Sequence, residues 1–143
     1  MSATTRRIMV AVDGSERSLR TVQRAVEYAK LMNASVVVVH VVQLPEYVGA
    51  DAQKKMSQEL LARAEATLQA ARKIASDALV PLETRPLETT GSVISAICDA
   101  ASTERIDLII VGTRTTRDVT KLMLGSVSGG VIASAKCDVL VVR

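Results

Sequence analysis

Phenylalanine and tryptophan are absent from this 143-residue chain, and tyrosine occurs only as Tyr28 and Tyr47. The core must therefore be built from Val, Ile, Leu, Met and Ala, which suits helices packed on aliphatic strands. With almost nothing to stack on bases, and with Lys and Arg scattered for a net charge of only +3, nucleic-acid binding is not expected. Cysteine is as scarce. Cys98 and Cys137 form neither a Cys-x-x-Cys pair nor a disulfide framework, so each reads as a small buried hydrophobe. The single histidine, His40, leaves no pair for a metal site and reads as a strand-end residue with a local hydrogen bond. No apolar run approaches the ~18 residues of a membrane span, and the polar segment 1–7 has no signal core. A cytoplasmic protein with no membrane partner is expected.

Catalytic motifs are missing too. The first strand ends in Asp13-Gly14-Ser15, without the Gly-x-Gly-x-x-Gly that dinucleotide phosphates require, and no Gly-x4-Gly-Lys-[Ser/Thr] loop occurs. Ordinary dehydrogenase and P-loop NTPase activities are therefore not expected. A phosphorelay receiver needs a phosphoacceptor Asp ending its third strand, where this chain has Arg85-Pro86. No nucleophile lies at triad spacing from a base, so ligand binding without rapid turnover is expected rather than enzymatic activity.

What is present is a regular alternation of strand and helix patterns over one domain, residues 1–143. Residues 7–12 form an apolar run stopped by Asp13-Gly14-Ser15, where Ser15 or Ser18 can cap a helix. Helical spacing of Leu19, Val22, Val26 and Ala29 follows, with Asn33 as its stop. The β-branched run 35–42 belongs in the middle of a parallel sheet. A long amphipathic helix is predicted over about 53–78, with Leu60, Leu61, Ala64, Leu68, Ala71 and Ala75 on one stripe. Residues 80–87 alternate apolar with polar but carry Pro81 and Pro86, which demotes them to an edge strand. Thr90-Gly91-Ser92 starts a third helix, 106–111 is a buried strand, and a helix near 126–135 precedes a last strand, 138–142. The order β-α-β-α-β-α-β-α-β predicts an α/β fold: an open parallel five-stranded sheet, order 3-2-1-4-5, with four helices on two faces. Ligands of such sheets bind beyond the strand C-termini at the switch point, here between strands one and four. Asp13 and Gly112 meet there.

The polar stretch between the fourth strand and the last helix carries Arg114, Arg117 and Lys121 against Asp118 and ends in Gly125-Ser126, with Ser126 as predicted N-cap. A cationic loop leading into a helix N-terminus favours an anion. Gly129 and Gly130 fall inside the predicted last helix, where each costs about 1 kcal/mol relative to alanine; close packing against a strand or a subunit is the expected reason.

Val10-Ala11-Val12-Asp13-Gly14-Ser15, the strand ending His40-Val41, the stretch from Gly112 to Val127, and Cys137-Asp138-Val139-Leu140-Val141-Val142 together resemble a single-domain universal stress protein. This family belongs to a Rossmann-like superfamily of adenine-nucleotide-binding α-hydrolase-like proteins. Its ATP-binding members carry Gly-x2-Gly-x9-Gly-[Ser/Thr], matched here by Gly112, Gly125 and Ser126, with Thr115 at the second glycine. The resemblance implies an adenine nucleotide: ATP, with AMP or cyclic AMP as alternatives, and Mg2+ held mainly by the phosphates. It implies Asp13 near the ribose and Val41 lining the adenine pocket. Gly112, Gly125, Ser126, Val127 and Ser128 would hold ribose and phosphates, and Ala11, Val12 and Val111 would complete the lining. Arg114 is a candidate phosphate contact. Thr115 resists the close approach and positive φ that glycine allows, though its hydroxyl can donate to a phosphate, so weakened rather than abolished binding is expected. Lys136 and Asp138 replace two family prolines, as in cyclic-AMP-binding members. The resemblance also implies a homodimer through Val139, Leu140, Val141 and Val142. A dimeric interaction module that has lost nucleotide binding is the alternative.

Overall fold

The computed structural model describes residues 6–113 and 124–143. Five strands and four helices follow in strict alternation: β1 (Arg6–Val12), α1 (Glu16–Met32), β2 (Ala34–Gln43), α2 (Ala50–Asp77), β3 (Leu82–Thr89), α3 (Val93–Thr103), β4 (Leu108–Gly112), α4 (Ser126–Ser134) and β5 (Asp138–Val142). The sheet order is β3-β2-β1-β4-β5, and every pairing is parallel. Sequence and structure agree on the fold class.

Side chains alternate across a strand, so each central strand feeds two cores. Ile8, Val10, Val12, Val36 and Val38 point to one face and pack against Val22, Ala25 and Val26 of α1 and Ala64, Leu68 and Ala71 of α2. Met9, Val37, Val39, Ile109 and Val111 point to the other and meet Ile97 and Ala101 of α3 and Val131 of α4. This double burial is why β1, β2 and β4 are unbroken aliphatic runs rather than alternating ones.

Helix ends follow local chemistry. Asn33 closes α1 in the left-handed region at φ 54°, and the Ser92 hydroxyl accepts from the Ser95 N–H to start α3. Other ends differ from expectation. Ser15 holds the N-cap position of α1 without a side-chain cap, because its hydroxyl donates to Asp13. At α4 the N-cap is Gly125, and Ser126 is already the first helical residue. Helix α2 begins at Ala50, and its buried stripe takes in Ser57 and Thr67, while Leu60 and Leu61 stay half-exposed. Strand β3 lies at the edge as its prolines demand, but shifted to Leu82–Thr89. Leu79, with φ 58°, turns the chain there, and Val80 drops into the core.

The paired glycines of α4 have unlike reasons. A Cβ on Gly130 would lie 2.1 Å from Ile94 Cδ1 of α3, whereas one on Gly129 would meet nothing within 4 Å. The tight packing is thus against a neighbouring helix. Gly129→Ala should stabilise the protein by about 0.5–1 kcal/mol, and Gly130→Ala should destabilise it by about 1–3 kcal/mol through overpacking. Urea unfolding of the two variants checks this.

Candidate functional site

At the C-terminal edge of the sheet, the chain leaves β1 into α1 on one face and leaves β4 toward α4 on the other. The gap between them is a cavity of about 270 Å3, near the lower end of the roughly 300–1,000 Å3 of small-molecule clefts. Ala11, Val12, Asp13, Val41, Val111, Gly112, Gly125, Ser126, Val127 and Ser128 all line it. These come from four elements and are far apart in sequence, yet every one was a candidate. The remaining two candidates, Arg114 and Thr115, lie outside the described residues, as do Arg117 and Lys121.

Asp13 occupies the first turn after β1. Its Oδ1 accepts from the Ser15 backbone N–H at 2.9 Å and from the Ser15 hydroxyl. Burial alone would push its pKa up, but the Ser15 hydroxyl and N–H bonds, with Arg17 nearby, outweigh burial and hold the carboxyl below its ordinary value. Asp13 is therefore a pure acceptor at neutral pH, suited to hydroxyl donors and repelling phosphate. Gly14, between the two, has φ +86°, open to glycine at no cost.

The opposite wall is the start of α4. Gly125 offers no side-chain cap, so the N–H groups of Ser126, Val127 and Ser128 have no intrahelical partner and face an anion's preferred position. The Ser128 hydroxyl donates to the Gly112 carbonyl at 3.0 Å, tying α4 to the end of β4. Its proton is thus committed to the protein, and its oxygen remains an acceptor. Gly112 has a packing reason as well: a Cβ there would lie 2.5 Å from Thr21 Oγ1 of α1. Between the walls, the floor of Ile97, Ile109 and Val131 is apolar.

The sequence reading missed Ser15, Arg17, Ser18, Thr21 and Thr113, all of which line the cavity. Arg17, in the first turn of α1, is the one basic side chain among the described residues of the cavity wall. The available signal was spacing, since Ser18 and Thr21, at i and i+3, share a helix face with the end of the Asp13 turn. A second depression beside β3 and α3, about 580 Å3, is lined by Glu88, Asp99 and Glu104 with no basic side chain, and so disfavours anions.

The profile of the universal stress protein family matches residues 4–143. The chain belongs to the universal stress protein family. A universal stress protein of Thermus aquaticus is 37% identical over 141 residues, covering 95% of this chain and 97% of the relative. Among solved structures, a universal stress protein in complex with cAMP is 29% identical with TM-score 0.73, covering 99% of each chain. That of Archaeoglobus fulgidus in complex with dAMP is 25% identical with TM-score 0.73, covering 96% of this chain and 98% of that one. Nucleotides are thus held by relatives of the same fold.

Three other residues, His40, Cys98 and Cys137, depart from their sequence reading. His40 is only 6% exposed, and its Nδ1 has no hydrogen-bond partner among the described residues. By register it stands opposite Val12, on the face covered by α1 and α2, where apolar packing replaces the expected local partner. Cys98 and Cys137 are half-buried and free; burial, reinforced by neighbouring acidic residues, pushes both thiols up, which leaves them protonated and unreactive at neutral pH.

Burial lowers the affinity of His40 for a proton from its ordinary value near 6.5, only partly offset by the charge of Asp13. Between the folded and unfolded values the unfolded chain binds the extra proton, so stability rises with pH across that window. The protein should lose stability as pH falls below about 6.5. His40→Gln should flatten that slope, read from urea midpoints between pH 5 and 8.

Proposed function

We propose that this universal stress protein binds an adenine nucleotide, ATP in the first instance, as a regulatory ligand that it does not turn over rapidly. The observation that carries this is the meeting, in one cavity at the β1/β4 switch point, of an ionised carboxylate and an open helix N-terminus over an apolar floor. Asp13 accepts from ribose hydroxyls, Val41 borders the adenine, and Ser126, Val127 and Ser128 donate backbone N–H groups to phosphate. The cAMP and dAMP complexes of relatives support the adenine class.

Slow turnover fits the same chemistry. Asp13, held below the ordinary carboxylate range, is a poor general base at neutral pH, and His40 is buried and not part of the cavity lining. Among the described residues no group of three His, Cys, Asp or Glu side chains comes together to hold a metal. In this reading any Mg2+ is held mainly by the phosphates, and Asp13 is the one carboxylate described in the cavity wall. No described helix is long and apolar enough to cross a membrane.

Calorimetry with ATP, AMP, cyclic AMP and adenosine tests the reading. ATP should bind below millimolar concentration, and Ser126→Ala, which keeps the backbone N–H but removes a hydroxyl able to donate to phosphate beside it, should weaken ATP about tenfold while changing adenosine little, the size of one hydrogen bond to a charged group. Binding by none of the four ligands, or equal losses for ATP and adenosine, would defeat the assignment.

The same reading extends to a homodimer. Strand β5 ends the sheet with one open edge and half-exposed Val139, Leu140 and Val141, an arrangement that invites strand pairing with a second copy. Sedimentation at micromolar concentration should give twice the 15.2 kDa chain mass. A monomer at that concentration removes the claim.

A further inference from the structure

We propose that Thr67 of α2 is a positioning residue for the candidate site, acting on Asp13 through the Gly14–Ser15 peptide. Thr67 is 7% exposed in the middle of α2, and its hydroxyl donates to the Gly14 carbonyl at 2.9 Å across 53 residues of sequence. The N–H of that same peptide unit belongs to Ser15 and donates to Asp13 Oδ1, also at 2.9 Å. A peptide unit is planar and rigid, so a bond that grips its carbonyl orients its N–H. Thr67 therefore holds one end of the plane whose other end holds the carboxylate.

The grip is needed because of Gly14. At φ +86° it has the freedom that only glycine enjoys, and without a partner the Gly14–Ser15 plane can turn its carbonyl toward water. That rotation carries the Ser15 N–H away from Asp13 and lets the carboxylate swing in the cavity. Helix α2 is placed for this role: Ala64, nearly one turn before Thr67, lies 3.8 Å from where a Gly14 Cβ would stand, so this stretch of α2 rests on the turn. Among the described residues, the charge of Arg17 from α1 also acts on Asp13, and the charge of Asp13 acts on His40 of β2.

The consequence for ligand choice rests on the nucleotide reading above: a fixed, ionised Asp13 selects ligands bearing sugar hydroxyls, and Thr67 sets how strongly. The test therefore has two independent readouts on Thr67→Val, Thr67→Ala and Thr67→Ser. The Asp13 carboxyl is titrated by carbon-13 NMR without ligand, and the affinities of ATP and 2′,3′-dideoxy-ATP are compared by calorimetry. In the Val variant Asp13 should titrate at higher pH than in the parent, and the preference for ATP over the dideoxy analogue should fall roughly five- to tenfold, the worth of one oriented hydrogen bond. Thr67→Ser, which keeps the hydroxyl, should restore both. A shifted titration with no change in sugar preference supports the positioning of Asp13 and counts against Asp13 as the ribose contact. An unchanged Asp13 titration in a folded Val or Ala variant overturns the proposal. Unfolding of both variants also overturns it, by assigning Thr67 to the fold alone.

Discussion

The site depends on the parallel pairing of β1 with β4. Ile8 pairs with Leu108, Met9 with Ile109 and Val10 with Ile110, and these three rungs bring together strands separated by nearly a hundred residues. After β1 the chain turns to the α1 face; after β4 it goes to the α4 face. Two adjacent strands whose continuations part in opposite directions leave a gap beyond their ends. Asp13 and the start of α4 border that gap because of the pairing. The opposite end of β1 is tied elsewhere, with Arg7 bonded to Glu104 at 2.7 Å and Glu104 to Arg85 at 3.0 Å, which keeps those charges away from the cavity.

The two walls of the gap have opposite preferences. An ionised carboxylate accepts hydrogen bonds, and an uncapped helix start donates them. No simple anion satisfies both, and no simple polyol does. A molecule with sugar hydroxyls at one end and phosphate at the other does so, with the apolar floor left for a planar base. The packing around the gap keeps the walls in place: Thr67 holds the Asp13 turn from α2, Ser128 holds α4 to β4, and Gly112 makes room for Thr21. Several residues of the site thus serve the protein's own geometry first.

Much of this was legible from residue types. The aliphatic runs of β1, β2 and β4 mark strands buried on both faces, the prolines of β3 put it at an edge, and Asn33 and Ser92 mark helix ends by their own side-chain chemistry. Ten of the candidate site residues needed only the strand order, the turn Asp13-Gly14-Ser15 and the family pattern. The less legible features were those in which a polar group had a choice of partners. Ser15 and Ser126 look like caps in isolation. In the fold Ser15 turns to Asp13, and Gly125 takes the cap position before Ser126.

What the sequence determined by itself is the class, the alternation of elements, the edge strand and the positions that reach the strand ends, because these rest on periodicity and on intrinsic limits of proline, glycine and β-branched residues. Only the tertiary structure decided the partners: His40 left without one for Nδ1 among the described residues, Gly130 flush against Ile94, Arg17 in the cavity wall, and Thr67 gripping the peptide behind Asp13. A hydrogen bond or a tight contact between residues 36 or 53 positions apart has no period to betray it. It exists because two helices and a turn are brought to one place by the sheet.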